Sequence, residues 1–183
     1  MTERTEQFEA LALPHLDAAY NLARWLLRDD HNAQDVVQDA YLRAFRFFDG
    51  FEGRNARPWL LRIVRTTCYT WLKNKGRMGE QIEFDEERDS DATLGTLKRA
   101  EDNPEILLLQ KLERARIDKA IAELPPVFRE VVVLRELEEM SYDEIAQVAA
   151  IPIGTVMSRL ARARALLRAT LSQAGYEGKY GTR

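Results

Sequence analysis

The sequence predicts an all-α protein: two small helical domains joined by a flexible acidic linker, the second carrying a helix-turn-helix. Three observations lead there. Apolar residues recur at helical spacing at both ends of the 183-residue chain. No stretch of useful length alternates as a half-buried strand would. The periodicity disappears across a middle segment dense in acids.

The first stripe, Leu16, Ala19, Tyr20, Ala23, Leu26 and Leu27, follows Pro14, which suits the first turn of a helix better than its middle. A second stripe runs Val36, Val37, Ala40, Tyr41, Ala44, Phe45 and Phe48 and stops at the turn signal Asp49-Gly50. A third follows Pro58 through Leu60, Ile63, Val64, Thr67, Cys68, Trp71 and Leu72, and is expected to end before Gly76. Residues 79–104 have no period and read as a linker. Periodicity returns at Ile106, Leu109, Leu112, Ala115, Ile117, Ala120 and Ile121 and halts at Pro125-Pro126. Two short helices, a longer one and a loose tail complete the chain. The expected division is therefore 1–78, a linker 79–104, a second domain 105–174 and a tail 175–183.

A composition of 45% hydrophobic and 31% charged residues is that of a folded protein rather than a disordered one. Cys68 is the only cysteine, which excludes an internal disulfide and any thiolate-rich zinc site. No apolar run reaches membrane-spanning length, and MTERTEQFEA is charged where a signal peptide is apolar, so the expected location is cytoplasmic, with no membrane insertion. Two histidines, no glycine-rich phosphate loop and no metal-ligand spacing supply no catalytic constellation. Neither enzyme activity, cofactor nor metal is expected.

Charge is distributed in blocks. Residues 54–77 hold Arg54, Arg57, Arg62, Arg65, Lys73, Lys75 and Arg77 and no acid; residues 80–105 hold ten acids against three bases; residues 155–168 hold four arginines and no acid. A net charge of −3 thus conceals two basic blocks, and a polyanionic partner meets the local field rather than the average.

The second basic block has a structural context. Ser141 and Glu144 in SYDE form a capping-box pattern, opening a short helix that buries Ile145, Ala146 and Val148 or Ala149. Pro152 and Gly154 then interrupt it and open the next helix, which makes a helix-turn-helix. On that next helix Val156, Leu160, Ala163 and Leu167 face inward, while Thr155, Ser158, Arg159 and Arg162 share a separate face. Hydroxyls near a helix start suit phosphate, and arginines suit guanine edges or phosphate. Arg164 and Arg168 fall off this face. The unit alone does not separate a repressor from an activator or a polymerase subunit.

The string LPPVFREVVVLRELEEMSYDEIAQVAAIPIGTVMSRLARARALL closely resembles the promoter-reading C-terminal domain of bacterial RNA polymerase sigma factors. DVVQDAYLRAFR (35–46) and ARPWLLRIVR (56–65) resemble the core-binding and promoter-melting segments of the extracytoplasmic-function (ECF) subgroup. The resemblance covers about residues 8–77 and 105–172. It implies that Asp35, Gln38 and Asp39 bind the coiled-coil clamp of the polymerase β′ subunit, and that Thr155, Ser158, Arg159 and Arg162 read the duplex −35 element.

The third helix leaves Arg62, Arg65, Thr66, Tyr69 and Lys73 outside, cations interleaved with a ring, as capture of unpaired bases requires. By resemblance these face the melted −10 element, and GFEGRNAR (50–57) receives a flipped base through Arg54 and Asn55. Thr66 and Thr70 stand where many family members carry Asn and Asp, which leaves base preference there open. Trp59 and Trp71 read as packing residues. The resemblance also implies contact with the β flap and control by an anti-sigma factor. The alternative is a sigma-like decoy that binds an anti-sigma factor without promoter activity; retention of the basic residues in both domains favours the active form.

Overall fold

The computed structural model describes residues 3–78 and 104–173. Among these residues all the regular secondary structure is helical: α1 (Glu3–Ala12), α2 (Leu16–Leu27), α3 (Asp30–Phe47), α4 (Ala56–Met78), α5 (Pro104–Glu123), α6 (Pro126–Val132), α7 (Tyr142–Ala149) and α8 (Ile153–Gln173). The linker expected at 79–104 and the tail expected at 175–183 lie outside the described residues, except that Pro104 already opens α5.

Helix ends follow local chemistry. The Asp29 carboxylate accepts from the Asn32 backbone N–H at 2.8 Å and starts α3. Arg28, at φ 56°, takes the left-handed conformation that closes α2, its N–H donating to the Arg24 carbonyl at 2.8 Å. Pro14 sits in a 3₁₀ turn (Leu13–His15) just ahead of α2, in keeping with its reading as a helix-start residue. The expected capping box at Ser141 forms in full: the Glu144 N–H donates to Ser141 Oγ at 3.2 Å, and the Ser141 N–H donates to Glu144 Oε2 at 2.9 Å. α6 runs into a single π turn (Val133–Leu137) before the capping box.

α2, α3 and α4 pack on one another with Leu22, Leu26, Val36, Val37, Leu61, Val64 and Cys68 between them. Each fully buried leucine contributes about 1.5–3 kcal/mol over the exposed state. α6, α7 and α8 form the second unit around Val131, Leu134, Ile145, Val148, Val156 and Leu160. The two halves share one continuous apolar cluster, with α4 lying against α7 and α2 against α6.

Four expectations change. α1 precedes the first expected stripe; Phe8 anchors it edge-to-face on Phe45 and Phe48 (centroids 5.2 and 5.4 Å), and Arg4 ties it to Asp49 at 2.8 Å. Leu16 is exposed, because it opens α2 at the rim of a groove rather than facing α3 and α4. α4 continues through Gly76 to Met78; a glycine costs a helix only about 1 kcal/mol and need not stop it. Most of the α5 stripe is unburied: Ala120 and Ile121 are covered, whereas Ile106, Leu109, Leu112, Ala115 and Ile117 are exposed, since only the C-terminal end of α5 reaches α6 and α8.

Candidate nucleic-acid interface

α8 divides as its sequence requires. Val156, Leu160 and Ala163 are buried and Leu167 is half-buried, while Ser158 and Arg162 are exposed and Thr155 and Arg159 are partly covered. The turn ahead of it is set by Ala150 at φ 54°, with the Ile151 N–H donating to the Ala146 carbonyl at 3.1 Å. Ser158 Oγ donates to the Thr155 carbonyl at 3.1 Å, leaving its lone pairs toward solvent. Arg164 leaves this face, as expected, and donates to Glu136 at 2.7 Å.

α4 also carries two faces. Leu60, Leu61, Val64, Thr67 and Cys68 are buried. Burial pushes the Cys68 thiol up to about 12, in line with its reading as a core residue. Arg62, Thr66 and Lys73 are exposed, as are Arg54 and Asn55 in the loop before the helix. Three hydroxyls along α4 bond back to their own helix: Thr66 to the Arg62 carbonyl at 2.8 Å, Thr67 to Ile63 at 2.8 Å and Thr70 to Thr66 at 2.9 Å. Trp59 and Trp71 are half-buried against the apolar clusters, Trp59 stacked on Phe51 at 4.5 Å, in agreement with their reading as packing residues. A Cβ on Gly53 would lie 2.8 Å from the edge of the Phe51 ring, so a larger residue there would make that ring shift from its place over Trp59.

Arg65 and Tyr69 do not face solvent. Both turn onto Glu130 of α6, a fully buried carboxylate. Arg65 donates to it from Nε at 2.7 Å and from Nη2 at 3.1 Å, Tyr69 from its hydroxyl at 3.0 Å, and Arg159 of α8 from Nη1 at 3.4 Å. The Arg65 guanidinium lies 4.6 Å over the Tyr69 ring. Burial alone would lower the Arg65 pKa, but the hydrogen bonds and charge of Glu130 outweigh it and raise it. Burial, then the charge of Glu130, raises the Tyr69 phenol. Glu130 therefore joins side chains of both expected DNA faces.

Two further acids, Glu138 and Glu144, join the same halves. Arg57 Nη2 donates to Glu138 Oε2 at 2.9 Å and to the Glu138 carbonyl at 2.8 Å, while Asn21 donates to Glu138 Oε1 at 2.6 Å. Asn55 Nδ2 donates to Glu144 Oε1 at 2.9 Å. Sequence reasoning missed Glu130 and Glu138. The available signal was a charged pair, Arg129-Glu130, inside the apolar run PVFREVVVL, where a solvated residue has no place.

Asp35, Gln38 and Asp39 are exposed on α3, with Asp35 3.3 Å from His31 Nδ1 and Asp39 3.0 Å from Arg43 Nε. Gln38 borders a groove of about 710 Å³ between α1, α2 and α3, lined by Phe8, Tyr20, Val37, Tyr41 and Phe45. Among the described residues no His, Cys, Asp or Glu cluster could hold a metal, and no helix is long and apolar enough to cross a membrane.

Comparison with known proteins agrees with this geometry. The family model "Sigma-70 region 2" matches residues 11–78, which contain α2 to α4, and "Sigma-70, region 4" matches residues 114–167, which hold the helix-turn-helix. The chain is 34% identical over 175 residues to the ECF RNA polymerase sigma-E factor of Haemophilus influenzae, covering 91% of each. It is 39% identical over 132 residues to that of Escherichia coli K12, covering 71% of this chain and 69% of the relative. Among solved structures it resembles the sigma factor RpoE of Bartonella quintana, in complex with the anti-sigma factor NepR, with TM-score 0.72, 28% identity, and 91% and 98% of the two chains covered. It also resembles CnrH in complex with the cytosolic domain of CnrY, with TM-score 0.64, 26% identity, and 92% and 90% covered. Two helical halves with the second built on a helix-turn-helix, a basic helix in the first, and relatives aligned along nearly the whole chain make this protein a member of the sigma-70 family, an ECF sigma factor that directs RNA polymerase to promoters.

Proposed function

We propose that the two halves divide the work of initiation, residues 1–78 binding core polymerase and opening the −10 element and residues 105–174 reading the −35 duplex. The observation that carries this is the split face of α8: Val156, Leu160 and Ala163 fasten it in the fold, and Thr155, Ser158, Arg159 and Arg162 are grouped on the opposite side behind a capped helix and tight turn. Arg54, Asn55, Arg62, Arg65, Thr66, Tyr69 and Lys73 supply the cations, hydroxyl and ring for a melted strand, with stacking worth about 1–3 kcal/mol per base. Asp35, Gln38 and Asp39 stand exposed on α3, Gln38 at the edge of the apolar groove, and take the β′ coiled coil, a helical partner suited to a trough with a polar rim. The C-terminal half also touches the β flap. An anti-sigma factor regulates the protein, in line with the partners seen on RpoE and CnrH. The place of action is the cytoplasm.

The test is reconstituted transcription. Purified protein with core polymerase is expected to yield promoter-dependent transcripts. Arg162→Ala is expected to weaken −35 binding by about 1–3 kcal/mol, and Asp35→Ala or Gln38→Ala to weaken core binding without changing promoter preference. Anti-sigma binding with no transcript from any promoter would mark a decoy and overturn the proposal.

A further inference from the structure

The two arginines grouped on the outer face of α8 are held differently. Arg162 is exposed, and among the described residues its guanidinium has no hydrogen-bond or ion-pair partner. Arg159 is partly covered, its side chain 24% exposed, and its Nη1 donates at 3.4 Å to Oε1 of Glu130, a carboxylate with no exposure at all. Glu130 stands on α6, which packs along α8 in the same half of the protein. Arg65 and Tyr69, the other donors to this carboxylate, belong to the first half and are proposed above to engage the −10 strand. The pair of Glu130 and Arg159 is therefore the one that can accompany α8 to the −35 duplex.

The two kinds of DNA contact ask different things of a guanidinium. A phosphate accepts a cation from many directions, so a mobile side chain serves. A guanine edge offers O6 and N7 in one plane, and only a fork held at the right angle meets both. A free arginine gives up its rotamer freedom on taking that pose, whereas one already fastened has less to lose. The bond from Nη1 to Glu130 leaves the Nε and Nη2 hydrogens of Arg159 unengaged, one of the pairs of parallel donors through which a guanidinium meets a planar acceptor. A buried ion pair adds little net stability but specifies one arrangement, which is what aiming a side chain requires. We infer that Arg159 is the base-reading arginine of α8, that Glu130 is the positioning residue that aims it, and that Arg162 grips phosphate. These roles rest on the −35 face proposed above for α8. Glu130 acts on DNA only through Arg159.

The test binds polymerase carrying the full chain to duplex promoter fragments randomised across the −35 element, and reads base preference from the bound fraction. Preference is a ratio between sequences, so a general loss of affinity or stability cancels from it. Arg159→Ala is expected to lower the preference at one −35 position at least about fivefold, the low end of what a bidentate base contact provides. Glu130→Gln is expected to lower it at that same position at least about threefold, within the coupling that contacting residues show, and to add nothing further in the double variant. Arg162→Ala is expected to weaken all sequences alike, to keep every preference within about twofold, and to reduce the salt slope of binding by about 1. The parent's preference in Glu130→Gln beside a relaxed one in Arg159→Ala would overturn the inference. So would a uniform loss in Arg159→Ala, or a relaxed preference in Arg162→Ala in its place. If no substitution on the outer face of α8 changes −35 binding at all, the proposed −35 role fails instead. Should Glu130→Gln fail to fold by circular dichroism, Glu130→Asp decides by the same reading. It keeps the charge but ends one methylene short of Arg159, and the parent's preference there would overturn the inference equally.

Discussion

At Arg129 a guanidinium does the work that secondary structure does elsewhere. Its side chain is buried and donates to three carbonyls, Trp25 at 3.1 Å, Ala122 at 2.7 Å and Leu124 at 2.7 Å, which closes the end of α5 and ties α2 to the turn before α6. Burial, with Arg28 nearby, lowers its pKa to about 10, so the charge persists at neutral pH. Arg129→Ala is expected to cost about 3 kcal/mol in urea unfolding, because three buried carbonyls lose their donor. Arg129→Lys should recover only part of this, since an ammonium lacks the planar fork; full recovery would refute the bridging role. The sequence makes Ser158 and Arg162 legible as outward residues, because helical spacing decides them. It could not place Arg65 and Tyr69: their partner Glu130 lies 65 and 61 positions away, and a single sequence carries no signal for such a pairing.

Among elements, the helix-turn-helix was the most legible and α5 the least. Ser141, Glu144 and the Val156, Leu160, Ala163 repeat are local signals, and local geometry honours each of them. On α5 the apolar repeat was equally regular, yet Ile106, Leu109 and Leu112 remain exposed because no described element lies against them. Periodicity says which residues share a face; it does not supply the neighbour that covers it. The turn between α7 and α8 offers a test. Ala150 sits at φ 54°, a conformation that penalises any Cβ. Ala150→Gly is expected to raise stability by about 0.5–1 kcal/mol, the relief of the left-handed penalty exceeding the added chain entropy. A loss of stability on thermal melting would show that the turn is unstrained.

Over the whole molecule, one apolar cluster runs through both halves, and α4 with α7 joins them across a polar and apolar seam. Glu144 lies on that seam. Its carboxyl is held below the ordinary value of 4.5, first by the Ser141 backbone N–H and then, against some desolvation, by Asn55 and Ser141 side chains and the charge of Arg57. A lowered carboxyl contributes its full stability above the unfolded-state value and loses it as pH falls through the lower folded-state value. Melting temperature is therefore expected to fall as pH drops below about 4.5, and to fall less steeply in Glu144→Gln. Equal slopes for the two proteins would remove Glu144 from the acid response. The pairing across this seam was not legible in the sequence, because Asn55 and Glu144 stand 89 positions apart and local pattern shows the first only as a loop residue and the second only as half of a capping box.

Under the −10 role proposed for α4, its back-bonded threonines bear on base choice. Thr66 and Thr70 each donate their hydroxyl hydrogen to a carbonyl one turn earlier, so that hydrogen is spent inside the helix. What Thr66 and Thr70 hold out to a strand lying along α4 is a methyl group and oxygen lone pairs. Such a surface can welcome an exocyclic amine or a thymine methyl, and it has nothing to give a base carbonyl.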